Sequence, residues 1–127
     1  MERFLLVCLG GAVGTGARYL VGLWAGERFG QSFPVGTLLV NLVGCFFIGL
    51  VMQLSLSVAS FPQALRFALT AGVLGGFTTY SAYAWETTQL VVDGARWPAL
   101  VNFAVTTAGG FLMVLLGLLA ARLVGKG

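Results

Sequence analysis

Long apolar stretches separated by short polar ones set the frame of this chain. A membrane-spanning helix needs about 20 largely apolar residues, and four stretches reach that length, at residues 4–25, 34–58, 66–92 and 98–121. Between them lie three polar turns or loops: Glu27-Arg28-Phe29-Gly30-Gln31-Ser32, Ser57-Val58-Ala59-Ser60-Phe61-Pro62-Gln63 and Asp93-Gly94-Ala95-Arg96. Pro34 suits the start of a helix, and Trp97 suits an interfacial anchor. The pattern predicts an all-α membrane protein, one domain over residues 1–127, with four transmembrane helices and both termini on the same side.

The third stretch departs from a plain span. Phe67 to Trp85 is uncharged, yet its centre is Gly75-Gly76, followed by Thr78, Thr79, Tyr80 and Ser81. Each glycine lowers helix propensity by about 1 kcal/mol relative to Ala. The hydroxyls that follow can bond to backbone groups freed by an unwound turn. In hydrocarbon such a turn persists only where protein buries it or where it lines a watery path. The third helix is therefore predicted to be broken at its midpoint, at the glycine pair, which in membrane proteins marks an ion or substrate site.

The other polar positions gather around that break. In the second span Thr37, Asn41, Gly44 and Ile48 recur on one helical face. Asn41 is costly in a membrane unless hydrogen-bonded, so it either joins two helices, supports the break or lines a path. Past the break, Thr79, Tyr83 and Glu86 share a stripe, with Tyr80 adjoining it. Glu86 is the one carboxylate deep enough in a span to be a functional candidate. Asn102, Thr106 and Gly109 or Gly110 make a partly polar face on the fourth span. In the first span, Gly10 with Gly14 and Gly22 with Gly26 line one face, a spacing that mostly means close helix packing.

Composition narrows the classes. Of 127 residues, 58% are hydrophobic and 9% charged, and mean hydropathy is +0.96, more apolar than a soluble domain requires. Seven Lys and Arg against four Asp and Glu give a formal +3, too few and too scattered for nucleic-acid binding. There is no His, which lowers the case for a metalloenzyme. Cys8 and Cys45 carry neither metal nor redox spacing and read as small buried residues. Met1-Glu2-Arg3 before an apolar run resembles a secretory signal, but the run continues past Arg18, so a retained first helix is expected. Arg3, Arg66, Arg122 and Lys126 fall on the side of the termini, and Arg18, Arg28 and Arg96 on the other. Orientation follows a Lys/Arg excess in cytoplasmic loops, and a count so nearly balanced permits insertion both ways and an antiparallel homodimer.

Assembled in order, the residues resemble the small fluoride channels of the Fluc (CrcB) family. Three pieces carry the resemblance: Gly10-Gly11-x-x-Gly14-x-x-x-Arg18-Tyr19, Gly36-Thr37-x-x-x-Asn41-x-x-Gly44 and Gly72-x-x-Gly75-Gly76-x-Thr78-Thr79-Tyr80-Ser81. The resemblance implies an antiparallel, dual-topology homodimer in the cell (inner) membrane, with two fluoride pathways and a central structural sodium ion. It implies that backbone carbonyls of Gly75 and Thr78 from both subunits hold the sodium. It places Asn41, Tyr80, Tyr83, Ser81 and Thr37 on the fluoride pathway, with Arg18, Thr79 and Glu86 in a vestibule or supporting role. Two departures stand out: the family usually has Phe where this chain has Tyr80 and Tyr83, and often a hydroxyl side chain where it has Ala82 and Gly110. The implied function is passive export of fluoride through neutral donors and ring edges. A proton-coupled multidrug exporter is the main alternative, although such chemistry wants a carboxylate that the first span lacks. A non-conducting structural membrane subunit is the third reading. Nothing pairs a nucleophile with a base, so no enzyme is expected.

Overall fold

The computed structural model describes residues 1–125, which leaves Lys126 outside the described residues. Among those described, every element is helical: α1 (Glu2–Phe29), α2 (Val35–Ser57), α3 (Gln63–Phe67), a π-helical segment (Ala68–Leu74), α4 (Gly75–Phe77), α5 (Tyr80–Val92) and α6 (Arg96–Val124). Three of them, α1, α2 and α6, are by themselves long and apolar enough to cross a membrane. Residues 63–77 form one rod, and α5 follows it after a two-residue break.

Three element boundaries differ from the sequence expectation. Glu27, Arg28 and Phe29 are the last turn of α1 and not a loop; the helix stops at Gly30, whose φ of 77° is one that glycine adopts freely. The glycine pair does not unwind. Gly75 has φ −62° and ψ −39°, and the chain leaves the helix only at Thr78 (φ −88°, ψ 160°) and Thr79 (φ −152°, ψ 117°). The turns before it are π-helical, which composition does not signal.

Packing explains why the glycines stay helical. A Cβ on Gly76 would run into the Gly11 carbonyl, and one on Gly14 into the Val73 carbonyl. Gly76 serves a close backbone approach of α1 to the rod, where tertiary contact outweighs its propensity cost of about 1 kcal/mol; Gly75 is exposed and meets only the Thr70 carbonyl of its own rod. Contacts advance in step from Gly10 beside Gly72 to Gly14 beside Phe77, so α1 and the rod run parallel. A second parallel pair joins α2 to α6, where contacts advance from Gly109 beside Leu42 through Val114 beside Gly49 to Gly117 against the backbone of Phe46 and Leu50. Small residues thus replace large ones at the seams, the usual membrane solution. The expected small face on α1 is only partly used: Gly26 has nothing near it. Long side chains such as Phe4, Leu9, Val13 and Leu20 point outward. Cys8 is exposed among them and Cys45 half-buried, so neither is the buried filler expected.

Candidate functional site

The break is built by hydroxyls and by one amide. Thr78 turns its Oγ1 back to donate to the Leu74 carbonyl at 2.9 Å, the carbonyl that its own N–H already reaches. Thr79 caps α5: its Oγ1 accepts from the Ala82 N–H at 3.2 Å, the role for which Ser, Thr, Asp and Asn are preferred. Asn41 of α2 closes the gap. Its Oδ1 accepts from the Thr79 N–H at 2.8 Å, and its Nδ2 donates to the Thr79 carbonyl at 3.0 Å. One side-chain amide therefore satisfies both polar groups of a peptide residue that no helix serves, groups costing several kcal/mol each if left bare in hydrocarbon. Gly44, one turn below Asn41, gives Thr78 room, because a Cβ there would strike the Thr78 methyl.

Arg18 holds the other edge. Its Nε donates to the Gly76 carbonyl at 2.9 Å, and Thr15 reaches the same oxygen at 3.5 Å. The remaining carbonyls have lost their helical partners. An unbroken helix would give the Thr79 N–H to the Gly75 carbonyl and the Ala82 N–H to that of Thr78. Asn41 Oδ1 and Thr79 Oγ1 take those two donors instead. Gly75 and Thr78 both line an open groove of about 470 Å³, as do Asn41, Thr79, Tyr80 and Tyr83. Freed carbonyls on residues that line a groove are a ligand type that suits a monovalent cation. Among the described residues no group of His, Cys, Asp and Glu offers a metal site of the other kind.

Three openings adjoin one another along α2. Thr79 lines the groove and also a cleft of about 340 Å³ with Arg18, Thr37 and Ala82. Thr37 lines that cleft and also a more polar pocket of about 530 Å³ with Gln31, Ser32, Glu86, Gln89 and Asp93. Thr37 donates to Glu86 Oε1 at 2.9 Å, and Glu86 Oε2 is buried without a partner. The sequence-derived candidates thus divide. Asn41, Thr79, Tyr80 and Tyr83 come together in the groove, Arg18 and Thr37 in the cleft, and Glu86 at the polar end. Ser81 lines none of the three openings; it is exposed, 3.4 Å from Thr79 Oγ1.

The two tyrosines differ in setting. Their rings meet edge to face, with centroids 5.7 Å apart and planes at 67°. Tyr80 is 80% exposed, whereas Tyr83 is 7% exposed and its hydroxyl lies 3.4 Å from Thr107 Oγ1. On α6, Asn102 is buried and donates to Thr87 Oγ1 at 2.9 Å; Thr87 in turn donates to the Tyr83 carbonyl at 2.7 Å. The polar face of Asn102 and Thr106 was visible in the sequence, but neither its partner Thr87 nor the part played by Thr107 was. The only signal for them was hydroxyls in an otherwise apolar helix.

Apolar helices of spanning length, joined at glycine seams with polar side chains gathered at a broken helix, define a multi-pass membrane protein. The profile of the family described as CrcB-like protein, Camphor Resistance (CrcB), matches residues 5–118. A protein of Anaeromyxobacter sp. (strain K) named fluoride-specific ion channel FluC is 50% identical over 113 residues, a match covering 89% of each chain. Proteins of the same name from Citrifermentans bemidjiense and Chloroflexus aurantiacus are 43% and 38% identical, over 122 and 125 residues. Those matches cover 96% and 98% of this chain, and 98% and 99% of the respective relatives. The chain belongs to the CrcB family.

Proposed function

We propose that this protein is a fluoride-selective channel that lets the anion leave the cell passively. The observation that carries the reading is identity of 38–50% along nearly the whole chain to relatives named for that activity. The site suits it chemically. Fluoride holds its water tightly, so several donors have to replace that shell, and binding has to stay weak enough for release. The groove offers neutral groups: the second N–H of Asn41, the hydroxyl of Thr79, and the ring edges of Tyr80 and Tyr83, which carry positive potential. The N-terminus of α5 opens at the same place, and its partial positive charge favours an anion. Arg18 is tied to the Gly76 carbonyl at the cleft, so its charge draws anions in without sitting in the groove. Ser81 enters the pathway in this reading only through Thr79, its hydrogen-bond neighbour.

The working unit we infer is an antiparallel homodimer of four-span subunits, one in each orientation, with two pores. Tyr80, Ser81 and Thr107 are exposed at the depth of the break, and polar groups at that depth call for protein or water over them. A second copy laid against the groove would cover them and bring two breaks together. The four free carbonyls of Gly75 and Thr78 would then fit a sodium ion. When bound, such an ion supplies positive charge that links the two breaks; Asn41 and Thr79 hold the carbonyls in place for it.

The test is fluoride efflux from proteoliposomes, with chloride as the control. Rapid loss of fluoride and retention of chloride is the expected result; no fluoride loss above protein-free vesicles would refute the reading. A non-conducting subunit would give that null rate, and a multidrug exporter would instead take up an aromatic cation against a proton gradient.

A further inference from the structure

Tyr83 is attached to α6 at both of its ends. Its backbone carbonyl accepts from Thr87, whose hydroxyl is held by the buried Asn102, only 1% exposed. Its phenolic oxygen pairs with Thr107 Oγ1 at 3.4 Å. A tyrosine hydroxyl in an apolar surround needs a partner, since an unpaired one carries its whole desolvation penalty. Fixing the far end of the ring as well as its Cα leaves the side chain one position. The Tyr83 ring sets that of Tyr80 in turn, through the edge-to-face contact at 5.7 Å.

We propose that Thr107 of α6 is a positioning residue for the anion route, fixing the ring of Tyr83, and through it that of Tyr80, by way of the hydroxyl pair. Thr107 does not touch the ion in this arrangement; its hydroxyl acts on the aromatic edge that does. The inference rests on the fluoride-channel reading of the groove. It makes a claim that neither burial nor exposure of Thr107 makes alone: the residue matters only while residue 83 carries a hydroxyl.

A double-mutant cycle on the full-length protein in liposomes tests it. Thr107→Val keeps the shape and removes the hydroxyl. In the parent protein it should slow initial fluoride efflux about fivefold, the factor that corresponds to one ordinary neutral hydrogen bond. In a Tyr83→Phe background the same change should alter that background's rate by no more than about twofold, the scatter of uncoupled sites. Thr107→Ser, which restores a hydroxyl, should recover most of the parent rate. An equal slowing in both backgrounds would overturn the proposal, because Thr107 would then act on the ion or on packing. No slowing in either would overturn it as well. Should Thr107→Val give no folded protein, Thr107→Ala takes its place in the cycle with the same expectations. Parent protein that moves no fluoride would refute the channel reading and this inference with it; parent flux with an additive cycle would refute this inference alone.

Discussion

Asn41 commits both ends of its amide to Thr79, and this decides what its substitution does. In Asn41→Asp the carboxylate can still accept from the Thr79 N–H, but its second oxygen faces the Thr79 carbonyl with no proton between them. It also sets an anion beside an anion route. Losing one charge-compatible donor in such a place costs about 1.5–3 kcal/mol, or roughly ten- to a hundredfold. Fluoride efflux is expected to fall by at least that much while the folded assembly survives on size-exclusion chromatography. Unchanged flux would remove Asn41 from the site. The tyrosines are read differently: if ring edges face fluoride, Tyr80→Phe and Tyr83→Phe keep conducting and Tyr80→Ile and Tyr83→Ile do not. Initial efflux of the four variants checks this, and parent-like rates in both Ile variants would dismiss the aromatic edge. Asn41 was legible in the sequence, because an amide in a span announces a partner. The partner was not, since it lies 38 positions away and is a backbone group. The same holds for Arg18 and the Gly76 carbonyl, 58 positions apart.

At the scale of elements, the four apolar stretches and the existence of a break were readable from periodicity and composition. The position of the break was not. Propensity pointed to Gly75-Gly76, yet Gly76 lies against α1, and the unwinding passes to Thr78 and Thr79, where an N-cap is available. The seams themselves make a prediction. Gly117→Ala drives a methyl into the Phe46 carbonyl, and Gly44→Ala drives one into Thr78. Overpacking of this kind costs about 1–3 kcal/mol and should lower the melting temperature of the detergent-solubilised protein. Gly26→Ala meets open space and should leave it unchanged or raise it slightly, since Ala favours the helix by about 1 kcal/mol. Equal losses at all three positions would show that the seams are not what holds the helices together.

For the whole molecule, the charge count changes once Arg18 is seen at the break. With Arg18 counted for neither face, the four-to-three read from the sequence becomes four-to-two. Balance is then a weaker reason for dual insertion than the sequence alone suggested, and the polar side chains exposed at the break, Tyr80, Ser81 and Thr107, become the stronger reason for a second copy. A single cysteine placed at a terminus, in protein lacking Cys8 and Cys45, should be labelled from both faces of intact membranes. Labelling from one face only would mean one orientation.

Passive conduction of fluoride itself is tested most directly by its charge balance. Liposomes loaded with potassium fluoride and containing the protein should release little fluoride until valinomycin lets potassium follow. Release should then be rapid, and a proton carrier should not be needed. Fast fluoride release without valinomycin, accompanied by proton movement, would contradict a channel and mean a coupled transporter instead.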